Sequence, residues 1–232
     1  MNILITGASA GLGLGMAREF AASGHNLALC ARRLDQLELI RAELLREHPA
    51  ITVLVKQLDV SHHADVSTVF KAFNQEIGKI DRIIVNAGIG KGQPFGTGRF
   101  DANLACAQTN FIGALAQCDA AMEIFRTQKY GHLVTVSSMA AFRGQPRSAV
   151  TYAATKAALS SMSEGLRLEC RGTRIRVTSK RQPFEVDERT GSRAMVKEIE
   201  REVAEACVPG WPWTLIGFVL KHAPLPLLNK MV

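Results

Sequence analysis

The sequence predicts an α/β protein, in which a doubly wound parallel sheet is flanked by helices on both faces. Short apolar segments alternate with amphipathic segments of helical length, and this alternation is typical of right-handed β-α-β units. The 232 residues, 47% of them hydrophobic, can bury one sizeable core but are few for two domains. We therefore interpret residues 1–232 as a single domain with an apolar C-terminal tail at 209–232.

The composition argues against several other classes of protein. The net charge is +7, but the lysines and arginines are scattered and form no dense basic tract, so nucleic acid is not expected as a partner. The five cysteines lack C-x-x-C spacing and no apolar leader precedes Ile3, which favours a reducing, cytoplasmic location. None of the six histidines has a partner at zinc-site spacing, so no metal site is expected.

A glycine-rich loop follows the first predicted strand, residues 3–5, and opens a helix that runs to about residue 23. Glycines let the backbone turn sharply and approach a pyrophosphate, whose charge the helix N-terminus can meet. The spacing G-x-x-x-G-x-G differs from the common fingerprint G-x-G-x-x-G, so a simple glycine turn is the alternative. The candidate phosphate-binding residues are Gly7, Ser9, Gly11, Leu12 and Gly13.

The second predicted strand, residues 26–31, is followed by Arg32 and Arg33. A dinucleotide site normally has an acid here, which binds the adenosine ribose hydroxyls. Guanidinium groups instead bind phosphate, so the pair favours NADP over NAD. The alternative is that both arginines simply open an exposed helix over residues 34–47.

The third strand, residues 51–58, ends in Asp59 and Val60. Asp59 could accept a hydrogen bond from an adenine amino group. Ser61 is a plausible cap for a helix that extends through residue 77.

The fourth strand, residues 80–85, ends in the small segment Asn86, Ala87 and Gly88, past which a cofactor could run close to the backbone. A glycine-rich loop follows. Its Lys91 either approaches a substrate or is simply solvated.

A long helix over residues 99–128 carries Asn110 between apolar neighbours, where its amide needs a buried partner. The fifth strand, residues 132–136, leads to Ser138, whose hydroxyl should lie at the carboxyl edge of the sheet. Open α/β sheets bind their ligands at this edge.

Tyr152 and Lys156 lie four residues apart on a predicted helix at 149–171, so their side chains share one face. A nearby ammonium favours the phenolate and lowers the pKa of a tyrosine from about 10. Tyr152 could then exchange a proton with an alcohol or a carbonyl.

The last elements are a strand at 174–178, a helix at 191–206 and a short strand at 206–208. The tail is too apolar to lie in water as an extended patch, so we expect it to cover the substrate cleft or a subunit interface. Peripheral membrane contact is the alternative. The tail's longest apolar run, residues 213–220, is shorter than the ~20 residues that span a bilayer.

Six features in order resemble the short-chain dehydrogenase/reductase family, which has a Rossmann-like fold. They are T-G-A-S-A-G-L-G at 6–13, D-V at 59–60, N-A-G at 86–88, Asn110, Ser138 and Y-A-A-T-K at 152–156.

The resemblance assigns roles to four side chains. Tyr152 would be the acid/base, Lys156 would lower its pKa and bind the nicotinamide ribose, and Ser138 would hydrogen-bond the reacting oxygen. Asn110 would hold a water that links Lys156 to solvent.

The resemblance implies an NADP(H)-dependent oxidoreductase that transfers hydride between the nicotinamide and a carbonyl or secondary alcohol. The apolar C-terminal portion suggests a hydrophobic substrate. The family commonly forms homodimers or homotetramers through the helices at 99–128 and 149–171. The alternative is an NADP(H)-binding regulatory protein with impaired catalysis.

The sequence departs from the family after the sixth strand, where a Pro-Gly turn and a mobile segment are expected under the nicotinamide. We expect that such a segment is missing from the sequence between Ser179 and Lys180, which predicts a break in the chain there. The alternative is a true deletion that opens the nicotinamide face to water.

Overall fold

The computed structural model describes residues 1–90, 92–183, 186–222 and 224. Lys91 and the end of the tail therefore lie outside the described residues. The seven strands are β1 (Asn2–Thr6), β2 (Asn26–Ala31), β3 (Val53–Gln57), β4 (Arg82–Val85), β5 (Tyr130–Ser138), β6 (Arg174–Gln182) and β7 (Glu205–Cys207). The helices are α1 (Gly11–Ala22), α2 (Leu34–Glu47), α3 (His63–Glu76), α4 (Phe100–Ala107), α5 (Gly113–Gln128), α6 (Val150–Glu169), α7 (Glu188–Glu200) and α8 (Trp213–His222).

The seven strands form one parallel sheet in the order β3-β2-β1-β4-β5-β6-β7. Strand β1 lies between β2 and β4, so the chain winds outward in both directions from this point. Ligands bind such sheets in the crevice beyond the carboxyl ends of the central strands. The predicted fold class is confirmed.

The side chains of each strand alternate between two hydrophobic cores, as the twofold period of a β-strand requires. In β1, Leu4 packs with Phe70 and Phe125 in the core on the α3, α5 and α6 side. Ile3 and Ile5 pack in the opposite core, which α1, α2 and α7 complete. Both faces of the sheet are therefore covered, which explains the nearly continuous apolar runs of the central strands.

Two predicted helices differ from those in the structure. The helix at 99–128 is interrupted by a π-helical turn, Gln108–Ile112. The helix predicted at 191–206 is α7, which begins earlier because the Asp187 carboxylate accepts from the Thr190 N–H at 2.9 Å. It ends before Glu202, whose φ of 52° is left-handed, and the chain then enters β7.

Ser61 does not cap α3, so that prediction was wrong. The N-cap position belongs to His62, which makes no side-chain cap bond. Ser61 instead donates its hydroxyl hydrogen to the Asp59 carboxylate at 2.7 Å.

Strand β6 is longer than predicted, and the expected chain break was wrong. Ser179 and Lys180 are consecutive residues of the strand and pair with Thr135 and Val136 of β5. Their backbone groups continue the β-ladder as far as Gln182, opposite Ser138. The connection from β6 to α7 is therefore short. In the part of the chain that the structure describes, no helix is long and apolar enough to cross a membrane.

Candidate active site

Hydrogen bonds between the carboxyl ends of β1 and β4 fix the centre of the crevice. The Thr6 hydroxyl accepts from the backbone N–H groups of Asn86 and Ala87, both at 3.0 Å. The Asn86 amide donates in turn to the Thr6 carbonyl at 2.9 Å. The segment after β4 is thereby held against the glycine-rich loop that follows β1.

The glycine-rich loop packs so closely against neighbouring backbone that side chains at two of its glycines would not fit. Gly7 has a left-handed φ of +66°, and a Cβ there would lie 2.9 Å from the Ala87 Cα. A Cβ on Gly13 would lie 2.4 Å from the Gly7 carbonyl oxygen. Helix α1 starts at Gly11, and the residue before it, Ala10, has no side chain that could cap the first N–H groups. This end of α1 suits a phosphate group.

Beside this loop lies a cavity lined by predicted adenosine-binding residues. Its lining includes Gly7, Ser9, Arg32, Arg33, Asp59, Val60, Ala87 and Gly88. Arg33 donates to the Ser9 hydroxyl at 3.1 Å. Burial acts to raise the pKa of Asp59, but hydrogen bonds from Ser61 and the nearby Arg32 guanidinium outweigh it and lower that pKa. Asp59 is therefore a carboxylate that can accept hydrogen bonds at neutral pH.

A second cavity adjoins the first through Gly88 and Ile89 and is lined by two of the four predicted catalytic residues, Tyr152 and Lys156, but not by Asn110 or Ser138. Its lining includes Leu12, Asn86, Ser137, Tyr152, Lys156, Gln182 and Pro183. Together the two cavities form a crevice from Arg32 to Tyr152 along the carboxyl edge of the sheet. No residue of the described tail, 209–222 and 224, is part of either lining. The prediction that the tail covers the cleft therefore finds no support in this part of the chain.

Lys156 is buried beneath Tyr152 and lies close to its ring. Its Nζ is 5.8 Å from the ring centroid and donates to the Val136 carbonyl at 2.9 Å. Burial lowers the pKa of Lys156 to about 8. The side chain can therefore lose its proton within the working range of an enzyme.

The prediction that Tyr152 has a lowered pKa was wrong for this arrangement. Burial disfavours the charged phenolate and raises the pKa, and a hydrogen bond with Ser138 only partly offsets that effect. The Lys156 ammonium points instead at the Val136 carbonyl. At neutral pH Tyr152 is a phenol that can donate its proton.

The two serines at the end of β5 have different surroundings. The Ser138 hydroxyl accepts from the Ala140 N–H at 3.1 Å and donates to the Gln182 carbonyl at 3.2 Å. Ser137 donates to the Lys156 backbone carbonyl at 3.0 Å and so attaches β5 to α6. Tyr152 is hydrogen-bonded to Ser138, the serine to which the resemblance assigned the reacting oxygen.

Asn110 lies in the π-helical turn and is 1% exposed. Its amide accepts from the Ile89 N–H at 2.7 Å and donates to the Ile89 carbonyl at 2.8 Å. The buried partner that the sequence required is thus the backbone of Ile89, at the junction of the two cavities. The roles of Ile89 and Gln182 could not be predicted from the sequence, because both residues act through backbone groups, which are the same for every residue type.

The crevice fits a nicotinamide dinucleotide at its phosphate end. A Cβ on Gly11, at the uncapped start of α1, would meet no atom within 4 Å, so this end is open, and Arg32 and Arg33 supply positive charge beside it. At the other end, Gln182 and Pro183 line the cavity where the family has its Pro-Gly turn. Among the residues that the structure describes, no group of three potential metal ligands is found.

Comparison with known proteins identifies relatives along most of the chain. A family model described as short chain dehydrogenase matches residues 1–198. An uncharacterized oxidoreductase of Mycobacterium tuberculosis is 47% identical over 226 residues, which cover 91% of this chain and 89% of the relative. Since 226 aligned positions exceed 91% of 232 residues, the relative has residues within the match that this chain lacks.

Solved structures share the fold at low sequence identity. An alcohol dehydrogenase from the archaeon Thermococcus sibiricus, complexed with 5-hydroxy-NADP, has a TM-score of 0.82 and 23% identity, covering 89% of this chain and 95% of its own. A short chain dehydrogenase/reductase from Burkholderia phymatum, in complex with NAD, has a TM-score of 0.86 and 19% identity, covering 98% and 94%. The chain therefore belongs to the short-chain dehydrogenase family of oxidoreductases, which use NAD or NADP.

Proposed function

We propose that the protein is an NADP(H)-dependent oxidoreductase that transfers hydride between the nicotinamide and a hydrophobic carbonyl compound or secondary alcohol. The observation that carries this proposal is the crevice itself. Tyr152 and Lys156 line one end, where Tyr152 is hydrogen-bonded to Ser138, and Arg32 and Arg33 line the other.

The preference for NADP rests on the two arginines. Strand β2 ends at Ala31 and is followed directly by Arg32 and Arg33, which line the cavity beside the glycine-rich loop. An acid at this point would repel the 2′-phosphate of NADP, whereas guanidinium groups bind it with charge-assisted hydrogen bonds. The contact between Arg33 and Ser9 holds one guanidinium close to the start of α1.

Proton transfer is assigned to Tyr152. When bound, the nicotinamide supplies or accepts the hydride. Because its raised pKa keeps Tyr152 protonated at neutral pH, its phenol can donate to a carbonyl oxygen in the reduction direction. The Lys156 ammonium then favours the phenolate that remains.

Ser138 would stabilise the charge that develops on the same oxygen. The Ala140 N–H fixes its hydroxyl oxygen, and its hydrogen would have to turn from the Gln182 carbonyl towards the substrate. The assignment of a water relay to Asn110 is also part of this proposal. The assignment is supported by the buried position of Asn110, which is hydrogen-bonded to Ile89 and lies near Lys156 beside Gly88.

Assembly into a homodimer or homotetramer through α4, α5 and α6 is proposed as well. Apolar side chains on these helices are exposed, as an interface would require. They are Leu104, Leu115 and Leu168.

A second candidate, an NADP(H)-binding regulatory protein, is favoured by one observation. Strand β6 continues to Gln182, whose carbonyl accepts a hydrogen bond from the Ser138 hydroxyl, where the family has a Pro-Gly turn. Such a site could hold the cofactor and still reduce substrates poorly.

A panel of apolar aldehydes and ketones, offered with NADPH and in parallel with NADH, separates the two candidates. We expect oxidation of NADPH with at least one substrate, and slower oxidation of NADH. Tight NADPH binding without oxidation by any substrate would favour the regulatory protein. If the protein binds neither NADPH nor NADH, both candidate functions are overturned.

A further inference from the structure

Helix α8 has an apolar face that the rest of the described chain leaves exposed. Trp211, just before the helix, is 79% exposed, and Leu215 and Phe218 are 54% and 64% exposed. Leu215 and Phe218 are three residues apart and lie on one side of α8, and Trp211 lies in the turn that precedes the helix. On its other side, α8 packs through Gly217, where a Cβ would lie 2.8 Å from the Phe142 ring.

The two segments that meet at this face, 139–143 and 209–222, contain cations and no acidic residue. The sequence contains no Asp or Glu after Glu205, and none between Glu123 and Glu164. The second of these stretches includes the turn Met139–Phe142 against which α8 packs, and Arg143 next to it. Arg143 donates to the Lys221 carbonyl at 3.5 Å, so both cations lie at the last turn of α8.

An apolar stripe bordered by cations matches the chemistry of an anionic bilayer surface. Helix α8 has 10 residues and is about 15 Å long, about half the hydrocarbon thickness, so it would lie in the plane of the interface.

A second copy of the chain fits this face less well. A stable protein interface needs roughly 20–30 residues a side, whereas the described part of this face is a few side chains. An absence of acidic residues is also unfavourable for self-association, because like charges would face each other across the contact.

We propose that α8 binds the surface of an anionic phospholipid membrane, with Trp211, Leu215 and Phe218 inserted among the headgroups and Lys221 near the phosphates. Because α8 packs on the turn that follows Ser138, this binding holds the catalytic end of the crevice towards the membrane. The proposal concerns binding alone and does not depend on which substrate the site takes.

The two tryptophans of the chain, Trp211 and Trp213, both lie in this segment and report directly on its environment. The full-length protein is mixed with vesicles of phosphatidylcholine, with and without phosphatidylserine. We expect a blue shift of tryptophan emission and co-sedimentation with the vesicles that contain phosphatidylserine, both weakened by added salt.

The variant Leu215→Ser/Phe218→Ser should bind these vesicles roughly a hundredfold more weakly, because two apolar side chains no longer enter the lipid. Leu39→Ser is the matched control, since Leu39 is 67% exposed on α2, and it should bind as the wild type does. If the double variant fails to fold, Lys221→Glu replaces it and should weaken binding to the anionic vesicles.

The proposal is overturned if the wild type does not bind vesicles that contain phosphatidylserine, or binds both compositions equally at any salt concentration. Unchanged binding by the double variant, or by Lys221→Glu where the double variant does not fold, overturns it too. If the wild type does not bind vesicles and the double variant has a different oligomeric state, the face would be assigned to contact with a second copy of the chain.

Discussion

Replacing Lys156 by methionine should abolish turnover and yet stabilise the fold. The side chain is buried, and its pKa of about 8, below the ordinary 10.5, means that holding the charge costs about 3 kcal/mol at neutral pH. Methionine has a similar shape and carries no charge. Loss of the hydrogen bond to the Val136 carbonyl offsets about 1–2 kcal/mol of the gain.

The net stabilisation expected for Lys156→Met is therefore about 1–2 kcal/mol at neutral pH, or a rise in Tm of roughly 2–8 °C for a chain of this size. The size of this stabilisation depends on pH. Because the pKa of Lys156 is lower in the folded state, the wild type is most stable above the unfolded pKa, where the amine is neutral in both states. It loses that stability as the pH falls through the folded pKa and the buried amine becomes charged. The advantage of the variant should therefore shrink as the pH rises from about 8 to 10.5.

Thermal and denaturant unfolding of both proteins at several pH values measures this difference, and NADPH oxidation measures turnover. Lys71→Met is the control, because Lys71 is half exposed and paired with Glu123 at the surface. It should change stability by no more than about 0.5 kcal/mol. A Lys156→Met protein that is less stable than the wild type at neutral pH, or whose advantage is independent of pH, would refute the reasoning.

Three further predictions concern the cofactor, the pH profile and the buried amide. Arg32→Asp should weaken NADPH binding strongly and NADH binding little, by calorimetry, because only NADPH has the 2′-phosphate; equal losses would give the arginine another role. The kcat/KM for carbonyl reduction should fall as the pH rises through about 8, where Lys156 loses its proton, and a profile flat through that region would contradict the assignment. Asn110→Ala should lower the unfolding free energy by about 2–4 kcal/mol in urea, because two buried hydrogen bonds to Ile89 are lost. Gln108→Ala, an exposed change in the same turn, is its control and should leave that free energy nearly unchanged.

The fold could be predicted because local patterns and the global architecture agree. Strand β2 and helix α2 have the predicted limits, since an apolar run and a helical period meet at a clear boundary there. The end of β6 could not be predicted, because Lys180 is polar and yet fully buried. Its Nζ donates to the Val203 carbonyl, a partner that only the tertiary structure supplies.

The site was predictable where it depends on side-chain type and less so where it depends on environment. The spacing of Tyr152 and Lys156 correctly placed both at one cavity. It could not show that burial would raise the tyrosine pKa, because desolvation depends on atoms from several elements. The hydrogen bond from the Ser138 hydroxyl to the Gln182 carbonyl could not be predicted either, because it depends on the length of β6.

The measurement that tests the central claim most directly is NADPH oxidation by Tyr152→Phe with a carbonyl substrate that the wild type reduces. The chain has two tyrosines, so Tyr130→Phe serves as the matched control. We expect Tyr152→Phe to bind NADPH with nearly unchanged affinity and to lose turnover, while Tyr130→Phe retains both. Substantial reduction of the substrate by Tyr152→Phe would contradict the assignment of Tyr152 as the proton donor.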